Sequence, residues 1–244
     1  MDQLAKLKEL EKRYRDLLAR WPAHSVKPEM VIEKEELEEE IAELKKAIGE
    51  KEAGHVFNPT NRQKLKSEMR KKLLPPDETV AKFPITPGDI ILDYGAGIGY
   101  FALPLAKKTG NAGMVYAVDI SPENLVDLEE DAAKEGLTNI KTALVSGDGT
   151  LPLDFPEFDV IFLATVLHEL SDKEAVLKKL IQKLKKQGKL IIIDWEKKDM
   201  AYGPPIHHRI SVEEGLFYLE KAGLTPSAKI SVSEAHWGII GIKD

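Results

Sequence analysis

The stretch Asp93-Tyr94-Gly95-Ala96-Gly97-Ile98-Gly99 carries the residue types best suited to holding a ligand by the main chain. It follows the apolar run Ile90-Ile91-Leu92, so it reads as a buried strand ending at Asp93, a turn through alternating glycines, and a helix opening at Tyr100. Glycine permits left-handed backbone and close approach of a ligand; tight strand–helix packing would make the same demand. The crevice beyond the carboxyl end of the first strand is the ligand site of an open α/β sheet. Further chemistry-bearing residues stand where later strands should end. Asp119 closes the run Met114–Val118, and a carboxylate there can accept from two neighbouring hydroxyls. A plain N-cap is the competing role, weakened because Ser121 already supplies a cap; Ile120 is assigned with Asp119 to the same ligand. Asp148 stands between Gly147 and Gly149, where an aspartate also suits a turn. Ala164-Thr165 and then His168-Glu169 follow the next apolar run. Histidine titrates near neutrality and suits a proton acceptor, although at a helix entry it serves structure as often.

The elements that would position these residues alternate regularly from residue 89 onward. Strands are expected at Ile90–Asp93, Met114–Val118, Ile140–Val145, Phe158–Ala164 and Lys189–Asp194. Between them lie helices from Tyr100, from Ser121 to Glu135, and from a capping box at Ser171-Asp172-Lys173-Glu174 to a stop at Gly188. A second capping box at Ser211 opens a helix ending at Gly223. Lys229–Ser233 and Trp237–Ile242 have no helix between them and should pair antiparallel. This order predicts an α/β fold: a doubly wound, Rossmann-like sheet with a closing antiparallel strand.

Residues 1–52 differ in texture. Leu4, Leu7, Leu10, Tyr14, Leu17 and Trp21, then Met30, Leu37, Ile41, Leu44 and Ile48, recur at helical steps around a turn at Pro22–Pro28. They predict an α-helical hairpin whose apolar seam needs a partner: its own domain, a second copy in a homodimer, or another protein. The domain boundaries are 1–52 and 53–244. The basic run Arg62–Lys72 between them could bind an anion, but reads more simply as a solvated face.

The 244 residues are 43% apolar, enough for one α/β domain with a small appendage. A net charge of −6 leaves no electrostatic footprint for nucleic acid. The absence of cysteine excludes disulfides, thiolate metal sites and a cysteine nucleophile. No run approaches membrane-spanning length and the start does not look like a signal peptide, so the expected location is cytoplasmic. Adjacent His207 and His208 should point apart, and no metal site is expected from them.

The D-x-G-x-G-x-G pattern at Asp93–Gly99, with acids closing successive strands, resembles the class I S-adenosylmethionine-dependent methyltransferases over residues 75–244. Val166-Leu167-His168-Glu169-Leu170, Asp194-Trp195-Glu196 and Gly203-Pro204-Pro205 look like the small-molecule group similar to the ubiquinone/menaquinone C-methyltransferases. The resemblance implies the seven-stranded fold and S-adenosylmethionine as cofactor. Gly95, Gly97 and Gly99 would then meet its carboxypropyl part, Asp93 the turn or the ammonium, and Asp119 the ribose hydroxyls. Asp148, with the Gly149 backbone, would meet the adenine amino group, and Ala164-Thr165 would line the methionine end.

The implied chemistry is in-line attack on a sulfonium methyl, where proximity and orientation supply much of the acceleration. His168 is the expected base, should the acceptor carry a proton. Glu169, with Tyr202, His207, His208 and Arg209 from the long loop after the fifth strand, is assigned to the acceptor. The expected function is methyl transfer to a small-molecule acceptor. Two alternatives stand beside it: a protein or RNA methyltransferase recruited through the hairpin, and a non-catalytic cofactor-binding module.

Overall fold

The computed structural model describes residues 68–200 and 202–244, with scattered positions between 6 and 41. The chain divides into two compact units, Met1–Val56 and Phe57–Asp244. In the first unit, Leu10, Leu17 and Leu37 are buried together with Tyr14, Met30 and Ile41 packed against them. The Tyr14 hydroxyl donates to Glu38 at 2.6 Å, and Lys6 pairs with Glu40 at 2.7 Å. Leu4, Leu7, Trp21, Leu44, Ile48, the proline turn, and Arg62, Lys64 and Lys66 lie outside the described residues.

The second unit carries a seven-stranded sheet in the order β3-β2-β1-β4-β5-β7-β6. The strands are β1 Ile90–Tyr94, β2 Met114–Asp119, β3 Ile140–Leu144, β4 Phe158–Ala164, β5 Leu184–Trp195, β6 Thr225–Ser231 and β7 His236–Ile242. The first five run parallel, and β7 inserts antiparallel between β5 and β6. Helices α1 Glu68–Leu73 and α2 Pro76–Ala81 precede the sheet; α3 Ala102–Thr109, α4 Pro122–Lys134, α5 Lys173–Gln182 and α6 Val212–Ala222 cover it.

Side chains alternate across the strands, and each face receives its own core. Ile91, Val115, Ala117, Val160, Phe162, Ile191 and Ile193 bury against Val80, Phe101, Leu105 and Leu128. Leu92, Val118, Ile161, Leu163, Leu190 and Ile192 bury against Val176, Leu177, Leu180 and Leu219 on the other face. With both faces covered, these strands must read as continuous apolar runs, as they do. The order reverses between β1 and β4, and at such a switch point the strand ends open a crevice.

The elements expected from residue 89 onward are present, with local corrections. Helix α5 is capped by Asp172, whose side chain accepts the Ala175 N–H at 3.0 Å, rather than by Ser171. It ends at Gln182, not at Gly188, because β5 already pairs at Leu184 with Phe158. The next β5 pairing is Lys189 with Val160, so the polar stretch 185–188 forms an irregularity in the strand. The capping box of α6 is complete, and Gly223 closes that helix in the left-handed region at φ 93°. Strand β6 starts earlier than expected, at Thr225. Among the described residues, no helix is long and apolar enough to cross a membrane.

Candidate active site

The glycine turn lies between β1 and α3, and Gly95 and Ala96 both donate backbone N–H bonds to the Val118 carbonyl. Gly95 and Gly99 have φ of 77° and 87°, and an added Cβ would come within 2.5 Å of Val166 and 2.8 Å of Leu128. Backbone conformation and packing therefore both require these two glycines. Gly97 donates its N–H to Asp119 Oδ2 at 2.7 Å.

Asp119 is buried at the end of β2. Its Oδ1 accepts from the Ser121 N–H at 2.9 Å and from the Asn124 amide at 3.2 Å. The cap of α4 is separate: Ser121 Oγ accepts the Asn124 N–H at 3.3 Å. The Asp119 carboxylate thus ties the glycine turn to the start of α4. Burial raises its pKa above the ordinary value against these hydrogen bonds. Ile120 is half exposed and lies against Gly147.

Asp148 is exposed and accepts from Ser146 Oγ, from Thr150 N–H and Oγ1, and from Lys179 Nζ. Those bonds, led by Ser146, hold its pKa well below the carboxylate range. Its turn is anchored by the Gly149 N–H donating to the Tyr94 hydroxyl at 3.0 Å.

Asp93 differs from both. It is 2% exposed, and among the described residues its Oδ2 has no hydrogen-bond partner. Burial, reinforced by the charge of Asp119 and opposed by Arg70, pushes its pKa up to about 8. A buried carboxyl oxygen without a donor is costly, and a bound cation with N–H donors is the group that would relieve it. The ammonium of S-adenosylmethionine is such a group, so the residues present fit that cofactor.

The second focus lies beyond β4. Thr165 takes φ 58°, an uncommon conformation for a β-branched residue, and its N–H donates to the Ile193 carbonyl at 2.8 Å. A 3-10 turn over Leu167–Glu169 then buries His168. Asp194, fully buried at the end of β5, accepts from His168 Nδ1 at 2.7 Å and from the His168 N–H at 3.0 Å. It also accepts the Trp195 N–H at 2.8 Å. An ionised carboxylate only accepts, so Nδ1 carries the proton and Nε2 presents its lone pair, 3.7 Å from Glu169 Oε1. Burial acts to lower the His168 pKa, but the Asp194 charge and hydrogen bond outweigh it and raise the value. Burial pushes Glu169 up to about 7, with His168 opposing.

The loop after β5 behaves differently from expectation at Arg209 and at the pair His207 and His208. Arg209 is buried and turned into the loop, donating to the carbonyls of Pro204, Glu196, Lys198 and Tyr202. It shapes the loop and does not present its guanidinium to an acceptor. His207 and His208 do not point apart: a 3-10 turn at Ile206–His208 sets their rings edge to face at 4.3 Å. His207 is exposed, while Tyr202 and His208 are half-buried.

Three residues near this site were not among the expected ones. Asp194 was visible as the end of a strand and within the motif Asp194-Trp195-Glu196 but had no role assigned, and Arg70 was visible only as one charge of a basic run. Arg70 lies 4.3 Å over the Tyr100 ring and acts electrostatically on Asp93 and Glu169. His236, at the start of β7, had no local signal at all.

A methyltransferase-domain family model matches residues 85–223. A protein-L-isoaspartate O-methyltransferase from Methanococcus aeolicus is 34% identical over 105 residues, 43% of this chain and 45% of that protein. A ubiquinone/menaquinone biosynthesis C-methyltransferase UbiE from Xanthomonas axonopodis is 27% identical over 128 residues, 52% of this chain and 51% of that protein. The chain spans about half the length of each of these relatives. The crystal structure of an S-adenosylmethionine-dependent methyltransferase from Aquifex aeolicus superposes with a TM-score of 0.73 at 31% identity, covering 78% of this chain and all 100% of that one. Glycine turn, strand order and these matches agree: the chain belongs to the class I S-adenosylmethionine-dependent methyltransferases.

Proposed function

We propose that this protein transfers the methyl group of S-adenosylmethionine to a small-molecule acceptor that gives up a proton. Two fixed groups at the carboxyl ends of neighbouring strands carry this reading: the Asp93 carboxyl on β1, whose Oδ2 has no partner among the described residues, and the imidazole of His168 held by Asp194. Asp93 would receive the cofactor's ammonium and Asp119 its ribose hydroxyls, with Ile120, Asp148 and Gly149 at the nucleobase. Gly95, Gly97, Gly99, Ala164 and Thr165 would border the methionine end. The bound cofactor supplies an electrophilic methyl whose carbon–sulfur electron pair stays on sulfur as the new bond forms. His168 Nε2 would take the acceptor's proton, Asp194 would hold the imidazole and stabilise its charge, and Glu169 would face the same space. Tyr202, His207 and His208 would border the acceptor from the loop, with Arg209 keeping that loop in shape.

The similarity to ubiquinone/menaquinone biosynthesis C-methyltransferases supports a small-molecule acceptor. Similarity to the isoaspartate O-methyltransferase favours a protein carboxylate as the second reading. Incubation with methyl-labelled cofactor and cell extract separates them: label in small metabolites supports the first, and label in protein or RNA overturns it. The unit Met1–Val56 is read as an oligomerisation or docking arm, because its described core rests on only three fully buried leucines. Sedimentation of the chain with and without residues 1–56 tests that role.

A further inference from the structure

Methyl transfer to an acceptor that gives up a proton leaves that proton in the site, and each turnover needs it delivered to solvent. His168 is poorly placed to deliver it directly, since its side chain is 4% exposed. Three charged groups act on the ring: Asp194, Glu169 and Lys173. Asp194 is fully buried and already accepts from His168 Nδ1, the His168 N–H and the Trp195 N–H. Lys173, at the start of α5, donates to the Leu170 carbonyl at 2.6 Å, and an ammonium has no site for a further proton. Glu169 differs from both. Its Oε1 stands 3.7 Å from His168 Nε2, the ring nitrogen that Asp194 does not hold, and its side chain is 26% exposed. That gap is just beyond a hydrogen bond, and a rotation of the Glu169 side chain or one water closes it. Charges facing Glu169 come from four elements: His168 in the same 3-10 turn, Asp194 on β5, Asp119 on β2 and Arg70 on α1. The two aspartates favour its protonated form, whereas His168 and Arg70 favour its carboxylate. With burial the strongest influence, the balance lies at about 7. Such a carboxyl takes up and gives off a proton near neutral pH. A charged His168 acts to ionise it, so the receiving oxygen is ready when the imidazole holds the proton.

We infer that Glu169 carries the acceptor's proton from His168 to solvent, in series with the base and not as a second base. This rests on the methyltransferase reading above and adds the exit step to it. The proton taken by Nε2 makes the ring an imidazolium, with Nδ1–H still held by Asp194. The Nε2 proton then passes to Glu169 Oε1, the N–H electron pair stays on nitrogen, and the neutral imidazole is restored. Glu169 gives the proton to water and returns to a carboxylate. Glu169 thus acts through His168 and needs no contact with the reacting atoms.

The test uses the full chain with isotope-labelled histidine and needs no acceptor. At about pH 6, where the raised His168 pKa keeps the imidazole charged, nuclear magnetic resonance times the exchange of each ring N–H with water separately. In the wild type, Nε2–H should exchange faster than Nδ1–H, which Asp194 shields. Glu169→Gln should slow Nε2–H exchange by about tenfold or more and leave Nδ1–H within about twofold. Glu169→Asp, with a carboxylate on a shorter arm, should fall between. A merely structural role would move both nitrogens together, by loosening the turn that carries the ring. Equal Nε2–H exchange in wild type and Glu169→Gln, faster exchange in the variant, or the same change at both nitrogens would overturn the inference. Should only Glu169→Asp fold, slowing at Nε2 alone supports it, and slowing at both or neither overturns it. Failure of both variants to fold assigns Glu169 to packing and also overturns it. Calorimetry with S-adenosylmethionine on the same preparations separates the two readings. A wild type that binds no cofactor overturns the methyltransferase reading and the inference with it; cofactor binding with the wrong exchange pattern overturns the inference alone.

Discussion

Asp194 grips His168 at two points, its Oδ1 accepting from the imidazole Nδ1 at 2.7 Å and its Oδ2 from the backbone N–H at 3.0 Å. The first contact fixes the tautomer and the second fixes the turn that carries the ring. Asp194→Asn retains the shape but has one acceptor oxygen for three donors, the two of His168 and the Trp195 N–H. Turnover should fall by about 10²-fold or more while cofactor affinity stays within about twofold. The wild-type rate should rise with pH through an inflection above the ordinary histidine value, because Asp194 raises the His168 pKa. In the Asn variant that inflection should move down. An unchanged rate and profile in labelled-methyl assays would remove Asp194 from the mechanism.

Asp119 serves the fold, since Gly97, Ser121 and Asn124 all donate to it, and under the proposed function it also binds the cofactor's ribose. Asp119→Ala should weaken cofactor binding by about 1–3 kcal/mol and lower stability by a similar amount. Ser121→Ala is the contrast: loss of the cap should cost about 1 kcal/mol of stability and leave binding unchanged. Calorimetry with denaturant unfolding separates the two. Undiminished affinity in Asp119→Ala would place the ribose elsewhere.

In the loop after β5, His207 is exposed whereas Arg209 is buried under four carbonyl contacts. His207→Ala should reduce turnover with the melting temperature unchanged. Arg209→Lys, whose ammonium cannot span the same carbonyls, should lose about 1–3 kcal/mol of stability as well as turnover. Equal melting temperatures for Arg209→Lys and the wild type would contradict the inward role of Arg209.

The layout of the sheet was legible because strands covered on both faces must be apolar throughout, and Phe158–Ala164 matches its reading residue for residue. The misreading at 183–188 has a physical cause. Lys185, Lys186 and Gln187 look like the last turn of a helix closed by Gly188, yet Leu184 pairs with Phe158 and Gln187 at φ 60° donates to the Lys243 carbonyl. Only the distant β7 edge makes that conformation favourable. Asp93 and Asp119 could be found from local spacing, because turn and strand end are close in sequence. The His168–Asp194 pair joins two strand ends, and the buried His236 Nε2, without a partner among the described residues, is a product of packing between distant segments. Neither is visible in a one-dimensional pattern. Arg209 was misassigned because a charged residue in a loop reads as exposed until its backbone partners are known.

Asp93 gives the most direct test of the account. Its pKa rises from an ordinary 3.8 to about 8, so the folded protein keeps a proton that the unfolded chain has released. The contribution to stability is full below about pH 4 and is lost as pH climbs toward 8. A bound ammonium would reverse this by favouring the carboxylate. Calorimetric titration of S-adenosylmethionine at pH 7, in buffers of different ionisation enthalpy, should show tight binding with release of roughly one proton. Asp93→Asn should weaken binding by about 1–3 kcal/mol, abolish the release, and flatten the fall in melting temperature between pH 5 and 8 in the ligand-free protein. Binding with no proton release in the wild type, or equal affinity in Asp93→Asn, would contradict the placement of the cofactor's ammonium on Asp93.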